Sequence, residues 1–304
     1  MAEKDIQGKL LESEPEVFSD IVNVLNFRGA HIVNPDSLQE GPTSSVYLSA
    51  DGRPREQIRD VTRYCTSLGA VIMLLGIENQ SDIDYDMVFR VMRYDGASYQ
   101  MQKDSREKYP VITTVLYFGM KRWDGPKSIR EAISKDIPDW SSVIEAVPDY
   151  RINLVEVAFL PKEVREQFVS DFRVISEYFY AVREGKLEEF YHSPEAHMRI
   201  SHVDEVMDFL RVFRKDDRYA RIRAELSKKD GKGDDVTMCE LLDYAEQKGQ
   251  EKGLSQGVEA GIQALIEASC EFGQTYRATL EKVMDKFSLN PEEAEAKMKC
   301  YWKS

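Results

Sequence analysis

The stretch Ala70-Val71-Ile72-Met73-Leu74-Leu75-Gly76-Ile77-Glu78-Asn79-Gln80 decides how the rest of the chain is read. Its first eight residues form a continuous apolar run of strand length, the pattern of a strand buried on both faces of a sheet. Polarity then changes at once. Glu78 and Gln80 are two residues apart, so the alternation of a strand sets them side by side on one face at the end of a rigid element. With 54 Asp and Glu in the chain, a single acid says little. An acid tied to the end of a buried strand says more.

Working outward, the neighbouring segments supply the rest of a sheet. Upstream, residues 1–27 read as a helix, with Pro15 suited to a first turn and Val17, Phe18, Ile21, Val22 and Leu25 at helical spacing. Residues 43–50 are rich in β-formers and precede the turn dipeptide Asp51-Gly52, and residues 58–66 make a second strand candidate. Downstream, residues 83–102 read as a helix and residues 111–118 (VITTVLYF) as another buried strand. A helix between two buried strands implies a crossover, hence an α/β fold with a mixed sheet covered on both faces by helices. Residues 152–159 extend the sheet. Beyond residue 160 the pattern is helical almost throughout, with the polar stretch 228–235 (KKDGKGDD) as a linker. The expected organisation is a core over 1–182, a basic helical connector over 183–235 and a helical C-terminal region over 236–304.

An acid from the adjacent strand could meet Glu78, and Asp60 lies on the strand candidate just before it. Two carboxylates offer hard oxygen ligands to Mg²⁺ or Mn²⁺, an ion that keeps several of its waters and reaches a scissile phosphate. Such a set suits metal-assisted phosphodiester hydrolysis.

The segments that carry this set also resemble a known family. In order along the chain they are Phe18-Ser19-Asp20-Ile21-Val22-Asn23, Asn34-Pro35-Asp36-Ser37-Leu38, Arg59-Asp60-Val61 and Gly76-Ile77-Glu78-Asn79-Gln80, followed by Arg90-Val91-Met92-Arg93-Tyr94-Asp95, Ser98-Tyr99-Gln100-Met101-Gln102, Pro110-Val111-Ile112-Thr113 and Trp123-Asp124-Gly125-Pro126. Together they resemble the Rpn-type recombination-promoting nucleases of the PD-(D/E)XK superfamily, often labelled transposases. The resemblance implies a restriction-endonuclease-like fold and a Mg²⁺- or Mn²⁺-dependent DNA endonuclease linked to recombination or mobile elements. It implies Asp60 and Glu78 as metal ligands and Gln80 in the position usually held by lysine. Asp20, on the first helix, is expected to assist through metal-bound water. Gln80 in place of the superfamily's lysine is normal for this family, but three features depart from the family pattern: Arg59 replaces the usual proline, Met87 is followed by Val88 rather than proline, and the stretch 103–109 is short. The alternative reading is a nuclease fold of weak or no activity that binds DNA or oligomerises.

The candidate DNA contacts fall in two places. Arg90, Tyr94, Tyr99 and Gln102 on the 83–102 helix either line a cleft or fill the core. Residues 211–232 carry nine Lys or Arg against four acids in a chain of net charge −13, and Arg211, Arg214, Lys215, Arg218 and Arg221 follow helical spacing. That stripe either tracks a phosphate backbone or is a solvated helix face. The overall acidity excludes a protein that coats nucleic acid with its whole surface.

Gly249, Gly253, Gly257 and Gly261 recur every fourth residue in a helical pattern. Each costs a helix about 1 kcal/mol relative to Ala, so the spacing suggests a face for self-association, with a frayed linker as the alternative. Asn290-Pro291-Glu292 reads as a helix start. Cys65, Cys239, Cys270 and Cys300 match no zinc or redox spacing, and His192, His197 and His202 do not stack on one helix face. No apolar run reaches the length of a membrane span and the first residues lack a signal-peptide core, so the expected compartment is the cytoplasm.

Overall fold

The computed structural model describes residues 11–48, 54–133, 136, 139–214 and 236–302. The chain divides into two units, Met1–Leu241 and Leu242–Ser304.

In the first unit, helix α1 (Pro15–Phe27) carries Pro15 in its first turn and ends where Arg28 takes a left-handed conformation. It is shorter than expected: residues 12–14 form a turn ahead of it, and residues 1–10 lie outside the described residues. A 3-10 turn (Pro35–Ser37) leads into β1 (Leu38–Glu40), and β2 (Ser44–Leu48) pairs with β3 (Pro54–Ile58) as a separate antiparallel ribbon. The strand expected over 58–66 begins later, at β4 (Val61–Ser67), and pairs antiparallel with β5 (Ala70–Gln80). Leu68 and Gly69 join them, both at positive φ, as a tight two-residue hairpin demands.

Helix α2 (Met87–Met101) crosses over to β6 (Val111–Tyr117), which lies parallel to β5. Two short helices, α3 (Ile129–Ala132) and α4 (Trp140–Ala146), precede β7 (Asn153–Glu156), parallel to β6. The five-stranded sheet runs β1-β4-β5-β6-β7: a mixed sheet flanked by helices, as the sequence predicts. The last strand stops at Glu156, and Val157–Phe159 turns into 3-10 helix instead of extending it.

β5 is the central strand, but only its second half is buried; Ala70–Ile72 emerge into solvent and Leu74–Asn79 are enclosed. The strand runs three residues further than its apolar stretch, so Glu78 and Gln80 sit within it. Met87, Val88 and Val91 of α2 pack on Val115, Tyr117, Trp123 and Ile152, which makes Trp123 a packed turn residue. On the helical side Phe118, just past β6, meets the rings of Phe179, Phe209 and Phe213 at 5.1, 5.0 and 4.8 Å. These rings belong to α6 (Phe172–Glu184) and α8 (Val203–Arg214); α5 (Lys162–Arg165) and α7 (Leu187–Tyr191) are short neighbours. Two-residue strands β8 (Arg199–Ile200) and β9 (Val236–Thr237) pair antiparallel.

Helix α9 (Met238–Glu271) runs into the second unit, where α10 (Tyr276–Phe287) and α11 (Pro291–Tyr301) follow. Asn290 caps α11 in a reciprocal capping box with Glu293, one residue beyond the predicted start signal. Ile262, Ile266, Val283, Ala294 and Met298 form this unit's core. A Cβ at Gly261 would touch the Phe287 ring at 3.3 Å, whereas at Gly253 and Gly257 it would meet nothing within 4 Å. No helix among the described residues is long and apolar enough to cross a membrane.

Candidate active site

The register of β4 and β5 determines what Glu78 faces. Val61 pairs with Ile77, so Asp60, one residue before β4, arrives beside Glu78 at the end of the central strand. The Asp60 Oδ2 atom accepts a hydrogen bond from the Asn79 backbone N–H at 2.7 Å. The two acids expected to act together are therefore brought together, and both are buried, at 4% and 0% exposure.

A third carboxylate joins them. Glu12, fully buried in the turn before α1, accepts from the Asn79 side-chain amide at 2.6 Å. Arg63 on β4 holds that turn by donating to the Ser13 carbonyl at 2.6 Å. Asn79, the middle residue of Glu-x-Gln, thus links Asp60 through its backbone and Glu12 through its side chain. Reading residues 1–27 as one helix hides Glu12 among helix-face acids, and no local sequence signal marks it.

The cluster is short of hydrogen bonds. Neither Oε1 of Glu12 nor either oxygen of Glu78 has a hydrogen-bond partner of good geometry; the Asp60 backbone N–H is near enough only to lower the Glu78 carboxyl slightly, as the smallest of the influences on it. Arg90 Nη2 lies 2.8 Å from Glu78 Oε2, but this contact is an ion pair and not a directed hydrogen bond. Burial, with the charge of Asp60 adding to it, pushes the Glu78 carboxyl up to about 8 against the opposing charges of Arg90 and Arg59. Burial likewise lifts Glu12 well above the carboxylate range; the Asn79 hydrogen bond opposes this, and the charges of Asp60 and Glu78 add to it. Three acids that cannot easily all ionise, two with orphaned oxygens, are what a hard divalent cation would relieve. The donor set fits Mg²⁺ or Mn²⁺. Asp60 and Glu78 would hold the ion with Glu12 in support, since these three are not a tight trio. Among the described residues, only Glu14, Glu16 and His202 bring three such donor atoms within 4.8 Å of one another.

Gln80 is half-buried at the end of β5, in register with Tyr117 and on the same face as Glu78. Asp20 does not join the cluster. Its Oδ2 accepts from the backbone N–H groups of Val169 and Ser170 at 2.9 and 2.8 Å, so it ties α1 to a loop, and the charges acting on Glu78 come from Asp60, Arg90 and Arg59.

Of the expected DNA contacts on α2, Arg90 faces the site through Glu78 and also bonds Tyr94, its Nε donating to the phenol oxygen at 3.2 Å. Tyr94 is 1% exposed and takes the core reading. Gln102 is buried as well, its amide spanning the Tyr109 backbone in both directions, so it latches a turn and presents nothing to a ligand. Tyr99 is exposed, and its hydroxyl accepts from Val111 N–H at 3.1 Å. In the basic stretch, Arg211 lies 3.7 Å from Asp208 and Arg214 stands over the Tyr178 ring. Lys215, Arg218 and Arg221 lie outside the described residues.

A mixed sheet whose central strand ends in Glu-x-Gln, with an Asp delivered from the antiparallel neighbour, defines a nuclease-like α/β protein. Residues 65–204 match the family model described as "Putative transposase, YhgA-like", which bears out the Rpn, PD-(D/E)XK resemblance carried by the motifs. The match takes in Glu78, Gln80 and Arg90 and begins after Asp60. No curated protein and no solved structure matches the chain.

Proposed function

We propose that this chain is a divalent-metal-dependent DNA endonuclease, acting in the cytoplasm in recombination or mobile-element biology. The observation that carries the reading is Glu78: a carboxylate at 0% exposure, without a hydrogen bond of good geometry to either oxygen, beside Asp60 at the end of the central strand. A fold does not retain an under-satisfied buried carboxyl for stability.

When bound, Mg²⁺ or Mn²⁺ supplies a Lewis acid for the scissile phosphate and acidifies an attacking water. Asp60 and Glu78 would hold that centre, with Asn79 N–H fixing the Asp60 carboxylate. Gln80 offers an amide that orients water without adding charge. Arg90 can exchange Glu78 for a phosphate oxygen, because its side chain is 24% exposed and long enough to swing. The glycine-spaced face of α9, open at Gly253 and Gly257, is proposed to pair two copies so that two sites act on two strands.

The test is supercoiled-plasmid nicking with and without Mg²⁺, comparing wild type with Asp60→Ala and Glu78→Ala. Metal-dependent nicking by wild type alone supports the reading. Equal nicking by all three chains sinks the site. A wild type that binds DNA but never cuts supports the second reading, an inactive nuclease fold, which the Arg90–Glu78 ion pair favours by occupying one ligand oxygen.

A further inference from the structure

Gln80 is uncharged, so the positive charge around these buried carboxylates comes from two arginines, and the fold holds them differently. Arg90 reaches in from α2 on a partly exposed arm and divides itself between Glu78 and Asp84, at 2.8 and 3.9 Å. Arg59 is enclosed, its side chain 3% exposed. Its backbone N–H is bound to the Thr43 carbonyl at 2.7 Å, and its guanidinium lies over the Tyr94 ring, 4.9 Å from the centroid. Nη2 contacts Asp95 Oδ1 at 3.3 Å, and Asp95 is itself fixed by the Thr113 hydroxyl at 2.6 Å and the Tyr150 hydroxyl at 2.5 Å.

Two features show that packing does not explain Arg59. Its Nη1 is buried without a hydrogen-bond partner, an unfavourable state that an apolar side chain of similar volume would avoid. Its ion pair with Asp95 is a single contact through Nη2 at 3.3 Å. Arg59 and Arg90 lie against the same Tyr94 ring, 4.9 and 5.9 Å from its centroid, and Arg90 Nη2 is 2.8 Å from Glu78, so the enclosed guanidinium stands one ring away from the mobile one.

Resting on the nuclease reading above, we propose that Arg59 is the positioning residue of this site: a locked, buried cation that keeps positive charge beside Asp60 and Glu78 when Arg90 leaves Glu78 for a phosphate. Arg90 is the mobile charge and Arg59 the permanent one. Such a preset charge acts on the transition state without reorganisation.

The test pairs nicking kinetics with Mn²⁺ binding by calorimetry, on full-length Arg59→Met, Arg59→Lys and Arg59→Met/Gln80→Lys chains. An Arg59→Met/Asp95→Asn chain guards against unfolding by removing the anion that the first substitution strands. The expected result for Arg59→Met is a kcat lower by roughly 10- to 100-fold with KM within about threefold. Mn²⁺ should bind at least as tightly as in wild type, because a competing cation has gone. Arg59→Lys should stay within about tenfold of wild-type kcat, and lysine at position 80 should recover most of the loss, both through charge alone. The inference is overturned if Arg59→Met keeps wild-type kcat, if Mn²⁺ binding disappears along with kcat in both Arg59→Met and Arg59→Met/Asp95→Asn, or if lysine at 80 restores nothing. A wild type that never nicks overturns the nuclease reading and this inference together; a wild type that nicks no faster than Arg59→Met overturns the inference alone.

Discussion

Asp20 and Asp171 are buried about as deeply as Asp60 and Glu78, at 8% and 4% exposure against 4% and 0%, yet the fold treats the two pairs differently. Asp20 receives two backbone N–H groups from the 169–170 loop. Asp171 receives the backbone N–H groups of Ser201 and His202 and sits 2.8 Å from the His202 ring. Both act as splints between segments far apart in the chain. Glu78 has one ion pair and no hydrogen bond of good geometry, and it faces Asp60 with Glu12 nearby. Depth of burial does not separate structural acids from functional ones here. What differs is the surroundings: Asp20 and Asp171 each take two backbone N–H groups from a distant segment, whereas Asp60, with one N–H, and Glu78 lie among other carboxylates, the arrangement that the proposed cation would relieve.

The strongest way to break this contrast is activity. Asp60→Ala and Glu78→Ala should each lower plasmid nicking by at least about 1,000-fold, the scale expected for losing a ligand of the reaction's metal. Asp20→Ala, measured per folded molecule at the same Mg²⁺ concentration, should stay within a few-fold of wild type. An Asp20→Ala defect as deep as that of Glu78→Ala would place Asp20 back in the site and erase the distinction.

The next effect is a pH dependence with a definite sign. The Glu78 carboxyl is pushed up to about 8 in the folded chain by burial and by Asp60, from an ordinary value of 4.5. The folded protein then binds the proton more tightly than the unfolded one, so metal-free stability is greatest below 4.5 as far as this group is concerned. It is lost as pH rises toward about 8, by on the order of a few kcal/mol. Glu12 is shifted in the same direction and steepens the slope. Urea titrations in EDTA from pH 5 to 8.5 should show that slope, and Glu78→Gln should flatten it. Added Mg²⁺ should restore stability most at the alkaline end, since the ion binds the ionised acids of the folded state. A Glu78→Gln chain with an unchanged slope would remove the electrostatic half of the contrast. Asp20→Ala should do the opposite of Glu78→Gln: it strands the Val169 and Ser170 N–H groups and should cost about 2–3 kcal/mol at neutral pH.

How far the sequence could be read follows from the same distinction. The end of β5 was legible because a strand's two-residue period and an apolar run are local signals, and Glu78 and Gln80 share a face for that reason alone. The β3 strand was not, since Pro54-Arg55-Glu56-Gln57 has neither alternation nor β-branched residues and is held by its ribbon partner β2. Asp20 and Glu12 could not be told apart in the sequence for a physical reason. An acid on a helix looks the same in sequence whether it points at a metal or at a loop 149 residues away. Glu12 acquires its place only through Asn79, 67 residues on. Motif order pointed to the family whose model matches residues 65–204, but it could not say which of two nearby acids would be satisfied by backbone.

Glu12 makes the last and smallest test, and the most discriminating one. If the donor-poor acids are a working set, Glu12→Gln should preserve the Asn79 contact, because a carboxamide oxygen accepts from Asn79 Nδ2 as a carboxylate does. It should remove the carboxyl on which the charges of Asp60 and Glu78 act. Mg²⁺ binding should weaken by roughly tenfold, as for loss of a supporting group and not of a direct ligand. Thermal stability without metal should hold or rise, because a buried carboxylate has been replaced by a neutral group. If Glu12 is instead a splint like Asp20, the substitution should leave Mg²⁺ affinity untouched and move only the melting temperature. Calorimetry and a thermal melt on one variant therefore decide to which of the two classes of buried acid Glu12 belongs.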